Sequence, residues 1–347
     1  MSSVQTRTLA ETHGVATEAD GGVPHRVDAD MRHVLEVLAA MEPRPLHECG
    51  VEEARLQPGP ASALSRILKA PPDDSEVGME LRLLPGAGGD MRARIYTPLA
   101  PAPAGGRPMI LYLHGGGWVV GDLEHYDPTP RMLARRTGAV VVAVHYRQAP
   151  EHRFPAAHKD SFAAWCWMQE NAAALGGDAA NAAVAGEGSG ANMALNLALT
   201  AREEGVRQPR HQLLICPMAG TDFTLPSYLE NADSRPLSSA TVQWFYRKAL
   251  RNRAALEDPR LNLYERHDLA GLPPATIILA EIDPLRSEGE LLAQALRRSG
   301  VWVDMTVYEG VTHQFFSLGA LVNKAMFAQG QAARNLSDAL VRRAEPA

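Results

Sequence analysis

A chain of 347 residues with Lys+Arg 34 against Asp+Glu 40, a formal net charge of −6, is neither a small stapled scaffold nor the basic footprint of a nucleic-acid binder. Its hydrophobic fraction of 46% with 21% charged residues is close to the globular average and suffices for a buried core at this length. Three cysteines, Cys49, Cys166 and Cys216, form no CxxC pair and read as reduced; with no signal-peptide pattern and no membrane-span run of about 18 apolar residues, a cytoplasmic protein is expected.

Residues 1–22 are polar and aperiodic, and read as a flexible arm. Across 28–68, Met31, Val34, Leu35, Val37, Leu38 and Met41 recur at helical spacing, which predicts one good helix and a second, shorter one. The texture then changes. Runs 79–84, 91–96 and 109–113 are strand-like and separated by Gly- and Pro-rich text. After them the pattern alternates: helix 128–137, strand 139–145, helix 155–175, strand 182–185, helix 189–204 and strand 212–216. Strand 275–281, helix 286–299, strand 302–308 and helix 321–342 complete it. Alternating β and α units with near-continuous apolar strands predict an α/β fold, a mainly parallel sheet covered by helices on both faces.

Between the strand ending at 216 and the one starting near 275, the connection is far longer than a usual βα loop, and it contains a helical stretch at 240–251. It reads as an insertion packing with the N-terminal helices as a cap over the carboxyl edge of the sheet, where open α/β folds bind ligands. The expected organisation is an arm (1–22), N-terminal cap helices (23–70), a first core part (71–216), a cap insertion (217–270) and a second core part (271–347).

The chemistry gathers at strand ends. Strand 109–113 runs into His114-Gly115-Gly116-Gly117-Trp118, and consecutive glycines free backbone N–H groups to converge on one point, as an oxyanion requires. Tyr146-Arg147-Gln148-Ala149-Pro150-Glu151-His152 follows the next strand, and Phe154-Pro155-Ala156-Ala157 leads into a helix. On these two blocks the chain resembles the hormone-sensitive-lipase-like family of α/β-hydrolases, with Gln148 where that family usually has Leu. The likeness runs from about residue 28 to the C-terminus and includes Pro217, Asp222 and the 226–232 segment PSYLENA, similar to the family's cap entry.

The resemblance implies an α/β-hydrolase fold with a helical cap and hydrolysis of short-acyl esters by a triad in the chain order Ser, Asp, His. Asp283, in EIDPLR, matches the acid segment; His313, in GVTHQFF, matches the base segment. The nucleophile position departs from the pattern. Aligned on Gly186, Gly190 and Asn192, the family's serine falls on Gly188, and the segment reads Gly186-Glu187-Gly188-Ser189-Gly190. A glycine adopts positive φ freely, so Gly188 should relax the elbow without breaking it. Ser189 is a poor substitute nucleophile, since the residue after the elbow points away from the base; its family role is an oxyanion-hole amide.

The implied assignment is Gly115, Gly116 and Gly117 for the oxyanion cradle, with Trp118, Tyr228, Trp244 and Phe245 as substrate-pocket walls. Three readings follow from the missing hydroxyl. One is an impaired ester hydrolase, working through Ser189 or through water activated by His313. A second is a non-hydrolytic lyase, dehydratase or cyclase using the His313–Asp283 pair on a carbonyl substrate. The third is an inactive ligand-binding protein. No cofactor or metal is expected, since the 12 His residues show no HExxH or Cys/His ligand spacing. The resemblance also carries an expectation of a homodimer through the last strand and helix.

Overall fold

A computed structural model of the chain describes residues 26–68 and 75–340; the arm expected at 1–22 lies outside them. Eight strands form one sheet in the order β1-β2-β4-β3-β5-β6-β7-β8. They are β1 (Val77–Gly86), β2 (Gly89–Pro98), β3 (Arg107–Leu113), β4 (Val140–Val144), β5 (Gly177–Glu187), β6 (Gln212–Ile215), β7 (Ala275–Ile282) and β8 (Val303–Thr312). The β1–β2 and β2–β4 pairings are antiparallel and the other five parallel.

The continuous apolar text of the inner strands follows from burial on both faces. In β4, Val140, Val142 and Val144 point into one layer, while Val141 and Ala143 point into the other. Helices α5 (Ala156–Glu170), α6 (Ser189–Glu203) and α9 (Arg286–Arg298) pack on the first face; α4 (Pro128–Thr137) and α10 (Asn323–Leu340) pack on the second. Each fully buried Val, Leu or Ile contributes roughly 1.5–3 kcal/mol, so this sandwich is the rigid part from which the loops project.

The stretch 28–68 differs from the expected pair of helices. It holds α1 (Ala29–Ala39), a 3-10 turn (Leu46–Glu48), α2 (Val51–Leu56) and α3 (Pro60–Leu68). Pro58 and Gly59 interrupt the apolar periodicity between α2 and α3 and split one helix into two. In the long connection after β6, α7 (Pro226–Glu230) precedes α8 (Ser239–Ala249). Residues of α1, α2 and α8 stand opposite the carboxyl ends of β3, β5, β7 and β8, and a cavity of about 740 Å³ lies between.

Candidate active site

The turn from β5 into α6 is the sharpest in the site. Gly186 and Gly190 pass so close that a Cβ on Gly186 would lie 2.3 Å from the Gly190 backbone, and one on Gly190 would lie 2.0 Å from the Leu113 carbonyl oxygen. Between them Gly188 adopts φ 53° and ψ −114°, a region costly to residues with a side chain. Its amide donates to the Ile215 carbonyl, which ties the turn to β6. The backbone is thus that of a nucleophile elbow. The group it would present is absent.

His313 follows β8 directly, and Gln314, at φ 66°, reverses the chain so that the imidazole lies back over the sheet edge. Its Nδ1 is 2.7 Å from Oδ2 of Asp283, whose other oxygen accepts from the Leu285 amide at 2.9 Å. A buried carboxylate on Nδ1 fixes the tautomer and leaves the Nε2 lone pair free. A Cβ built on Gly188 would lie 3.8 Å from that Nε2. The three positions singled out from sequence therefore meet, although 30 residues separate His313 from Asp283 and 95 separate Asp283 from Gly188.

Gly116, Gly117 and Ser189 line the cavity beside His313. Among the described residues their amides donate to no protein acceptor, so three N–H groups are available to one anionic oxygen. Gly117, at φ 60°, must be glycine for a second reason: a Cβ would lie 2.1 Å from the Phe245 ring. Gly115 does not line the cavity. It packs behind the loop, where a Cβ would meet the Tyr126 hydroxyl at 2.5 Å. Ser189 is fully buried, and its Oγ accepts from the Trp118 amide at 3.3 Å, with no hydrogen bond to His313.

Of the four aromatic residues expected on the pocket wall, Phe245 lines the cavity; Trp118, Tyr228 and Trp244 do not. Trp118, at φ 62°, turns its ring toward Tyr246 and His158. The Tyr228 hydroxyl is drawn to Glu288 at 2.5 Å. Trp244 precedes Phe245 on α8 and so faces about 100° away from it.

Several groups carried no usable signal in the sequence. Glu187, next to the elbow, is buried and accepts from Tyr112 Oη (2.6 Å) and Thr129 Oγ1 (2.7 Å); burial raises its carboxyl above the usual range, with those donors opposing. Glu288 is also buried, and takes the Ala219 and Gly220 amides at 2.6 and 3.0 Å. Burial pushes it up to about 8 against those donors. Cys216 follows β6 at φ 43°, its thiol raised by burial and by the Asp283 charge. Its sulfur, Asp283 and His313 lie within 4.8 Å of one another. The 2.7 Å contact between Asp283 and His313 is shorter than the roughly 3.3 Å between two ligands of a tetrahedral ion, so the pair is arranged for a shared proton.

A carboxylate-held imidazole, a ring of free amides and a covered cavity at the carboxyl edge of a parallel sheet define a site of the ester-hydrolase class. A family model for the alpha/beta hydrolase fold matches residues 110–317, more than half of the chain, and the chain belongs to the α/β-hydrolases, in the hormone-sensitive-lipase-like family. It is 36% identical over 283 residues to an ethyl acetate hydrolase of Pseudomonas putida, covering 81% of this chain and 88% of that one. It is 38% identical over 300 residues to carboxylesterase NlhH of Mycobacterium tuberculosis, covering 84% and 90%. The crystal structure of a thermostable esterase from Pseudomonas putida superposes with a TM-score of 0.83 at 31% identity, covering 93% of this chain and all of that one. The scaffold is that of a carboxylesterase-type hydrolase.

Proposed function

We propose that this protein is an impaired carboxylic ester hydrolase in which Gly188 removes the covalent step and leaves water, activated by His313, as the nucleophile. The observation that carries this reading is the 3.8 Å from a Cβ at position 188 to His313 Nε2: the base addresses the point where a hydroxyl would stand. Water in that gap gives a proton to Nε2 while its oxygen attacks the ester carbonyl carbon. The carbonyl oxygen takes the negative charge beneath the amides of Gly116, Gly117 and Ser189. Collapse breaks the bond to the alcohol oxygen, which recovers the proton from His313; acid and alcohol leave, and Asp283 stabilises the imidazolium in between.

The unoccupied lone pair of His313 beside a carbonyl cradle favours one other reading, removal of a proton next to a bound carbonyl by a lyase-type reaction. Residues 23–70 and 217–270 act in either reading as the cap. Three free thiols support a cytoplasmic setting, and no helix among the described residues is long and apolar enough to cross a membrane. Exposed Trp302 and Phe327, beside edge strand β8 and on α10, support pairing of two copies there.

The test is hydrolysis of p-nitrophenyl acetate by the unmodified chain and by Gly188→Ser. The expected outcome is slow turnover in the first and a rise on the order of 10³-fold or more in the second. Equal rates would remove the esterase reading and leave the lyase one.

A further inference from the structure

The glycine loop after β3 is held from behind, by side chains that lie outside the reacting groups described above. Four consecutive carbonyls, those of residues 118–121, each meet a donor. Trp118 O accepts from the Ala149 amide at 2.8 Å. Val119 O accepts from Arg55 Nε at 2.9 Å. Val120 O and Gly121 O both accept from Gln148 Nε2, at 2.9 and 2.7 Å, one for each N–H of that amide group. Gln148 follows β4, at the position where the family usually has Leu. Arg55 reaches across from α2, where its Nη groups also take Ala149 O at 3.0 Å and both carboxylate oxygens of Glu151 at 2.8 Å.

These contacts reach the oxyanion donors in two short steps. Val120 O stands so close to Gly116 that a Cβ there would lie 2.1 Å from it. The Gly116 carbonyl in turn accepts from the Val119 and Val120 amides at 3.0 and 2.9 Å. A trans peptide unit points its C=O and the following N–H in opposite directions, so pinning Gly116 O toward residues 119 and 120 aims the Gly117 N–H the other way. We propose that Gln148, together with Arg55, is a positioning residue for the cradle: by holding the carbonyls of residues 119–121 they set the direction in which Gly117 N–H meets the developing oxyanion. The inference rests on the cavity being an ester site, and it makes α2 a support of the reaction centre as well as a part of its cover.

The loop needs such support because its own backbone supplies little stiffness. Gly116, Gly117 and Gly121 sit at φ 101°, 60° and 84°, and glycine leaves these angles open to change. What fixes the loop is the set of carbonyl contacts, and Gln148 alone makes two of the four. An apolar side chain of the same length would leave Val120 O and Gly121 O without that donor. An amide misplaced by about 1 Å from the reacting oxygen can cost on the order of 10²-fold in rate, so a modest relaxation of the loop is enough to be read in kinetics.

Two variants of the full chain test the assignment. Gln148→Met keeps the length of the side chain and removes the donor; Arg55→Lys keeps the charge beside Glu151 and removes the fork that reaches Val119 and Ala149. In a Gly188→Ser background each is expected to lower kcat for p-nitrophenyl acetate about 10- to 100-fold, with KM held within about twofold. Without the serine, equilibrium binding reads the same effect. Monoethyl propylphosphonate, a tetrahedral anion, is expected to lose about tenfold in affinity in each variant, while ethyl butanoate, neutral and of matched length, binds as before. A side chain that serves stability alone changes neither kcat of the folded enzyme nor the ratio of the two affinities. An unchanged kcat and an unchanged ratio in Gln148→Met, or equal losses for both ligands, therefore overturn the role of Gln148. Urea unfolding establishes that each variant is folded under the assay conditions, and Arg55→Lys carries the test where Gln148→Met is not. Failure of Gly188→Ser itself to hydrolyse the ester overturns the ester-site reading instead, and it is told apart because it is seen before residue 148 is altered.

Discussion

The turn after β5 and the loops after β7 and β8 meet at one cavity, and they differ in what they present to it. After β7 and β8 a carboxylate–imidazole pair is in place, with His313 Nδ1 2.7 Å from Asp283 Oδ2. After β5 the sharp turn carries no side chain at its apex, where Gly188 holds φ 53° and ψ −114°. The contrast shows that an elbow's backbone is maintained by its neighbours, by the Gly186–Gly190 contact and the tie to Ile215. No side chain at position 188 is needed to hold it.

Breaking the intact half should matter most where the other half has been restored. In a Gly188→Ser background, His313→Ala or Asp283→Asn is expected to lower kcat for p-nitrophenyl acetate by on the order of 10³-fold or more, while the same changes in the unmodified chain remove only the slow water reaction. Steady-state rates of the four variants measure this directly.

The intact half also has a pH signature. Glu288 on α9 holds the chain after β6 beside Asp283, and its folded pKa is raised to about 8. Its contribution is therefore fully present below the usual glutamate range. It is lost as pH rises through about 8, because the unfolded chain ionises first. Glu288→Gln should flatten the stability-versus-pH curve between about pH 4.5 and 8 by roughly 3–5 kcal/mol, read by urea unfolding across that window.

Restoring the emptied half has a cost in stability. A side chain at position 188 must occupy positive φ, so Gly188→Ser is expected to lower unfolding free energy by about 1–3 kcal/mol while raising activity. An unchanged or higher stability would mean that the turn relaxes on substitution. The smallest effect belongs to Ser189. Ser189→Ala leaves the Trp118 amide unpaired at about 1 kcal/mol and should leave the residual ester rate unaltered, which separates its amide from its hydroxyl.

The strand ends of the site were legible because parallel strands buried on both faces are almost purely apolar, so HGGGW, DPLR and the histidine segment stand out as the first polar text after each. Position 188 was readable from the glycines around it. What the sequence could not convey was direction. Gly115 and Gly117 are equivalent as letters, yet one packs against Tyr126 behind the loop and the other against Phe245 at the cavity wall. Trp118, Tyr228 and Trp244 are aromatic residues near a cap, and only contacts with Tyr246, Glu288 and α8 neighbours decide that they turn away from the ligand space. Asp122 and His125 carried no signal in the sequence, since only the tertiary fold brings His125 to the cavity wall.

The most direct measurement is the intact mass of the chain after brief exposure to p-nitrophenyl acetate. The unmodified protein is expected to release p-nitrophenol slowly while remaining unacylated, and Gly188→Ser is expected to gain one acetyl group. An acetyl group on the unmodified chain, carried by the Ser189 hydroxyl and absent in Ser189→Ala, would contradict the account.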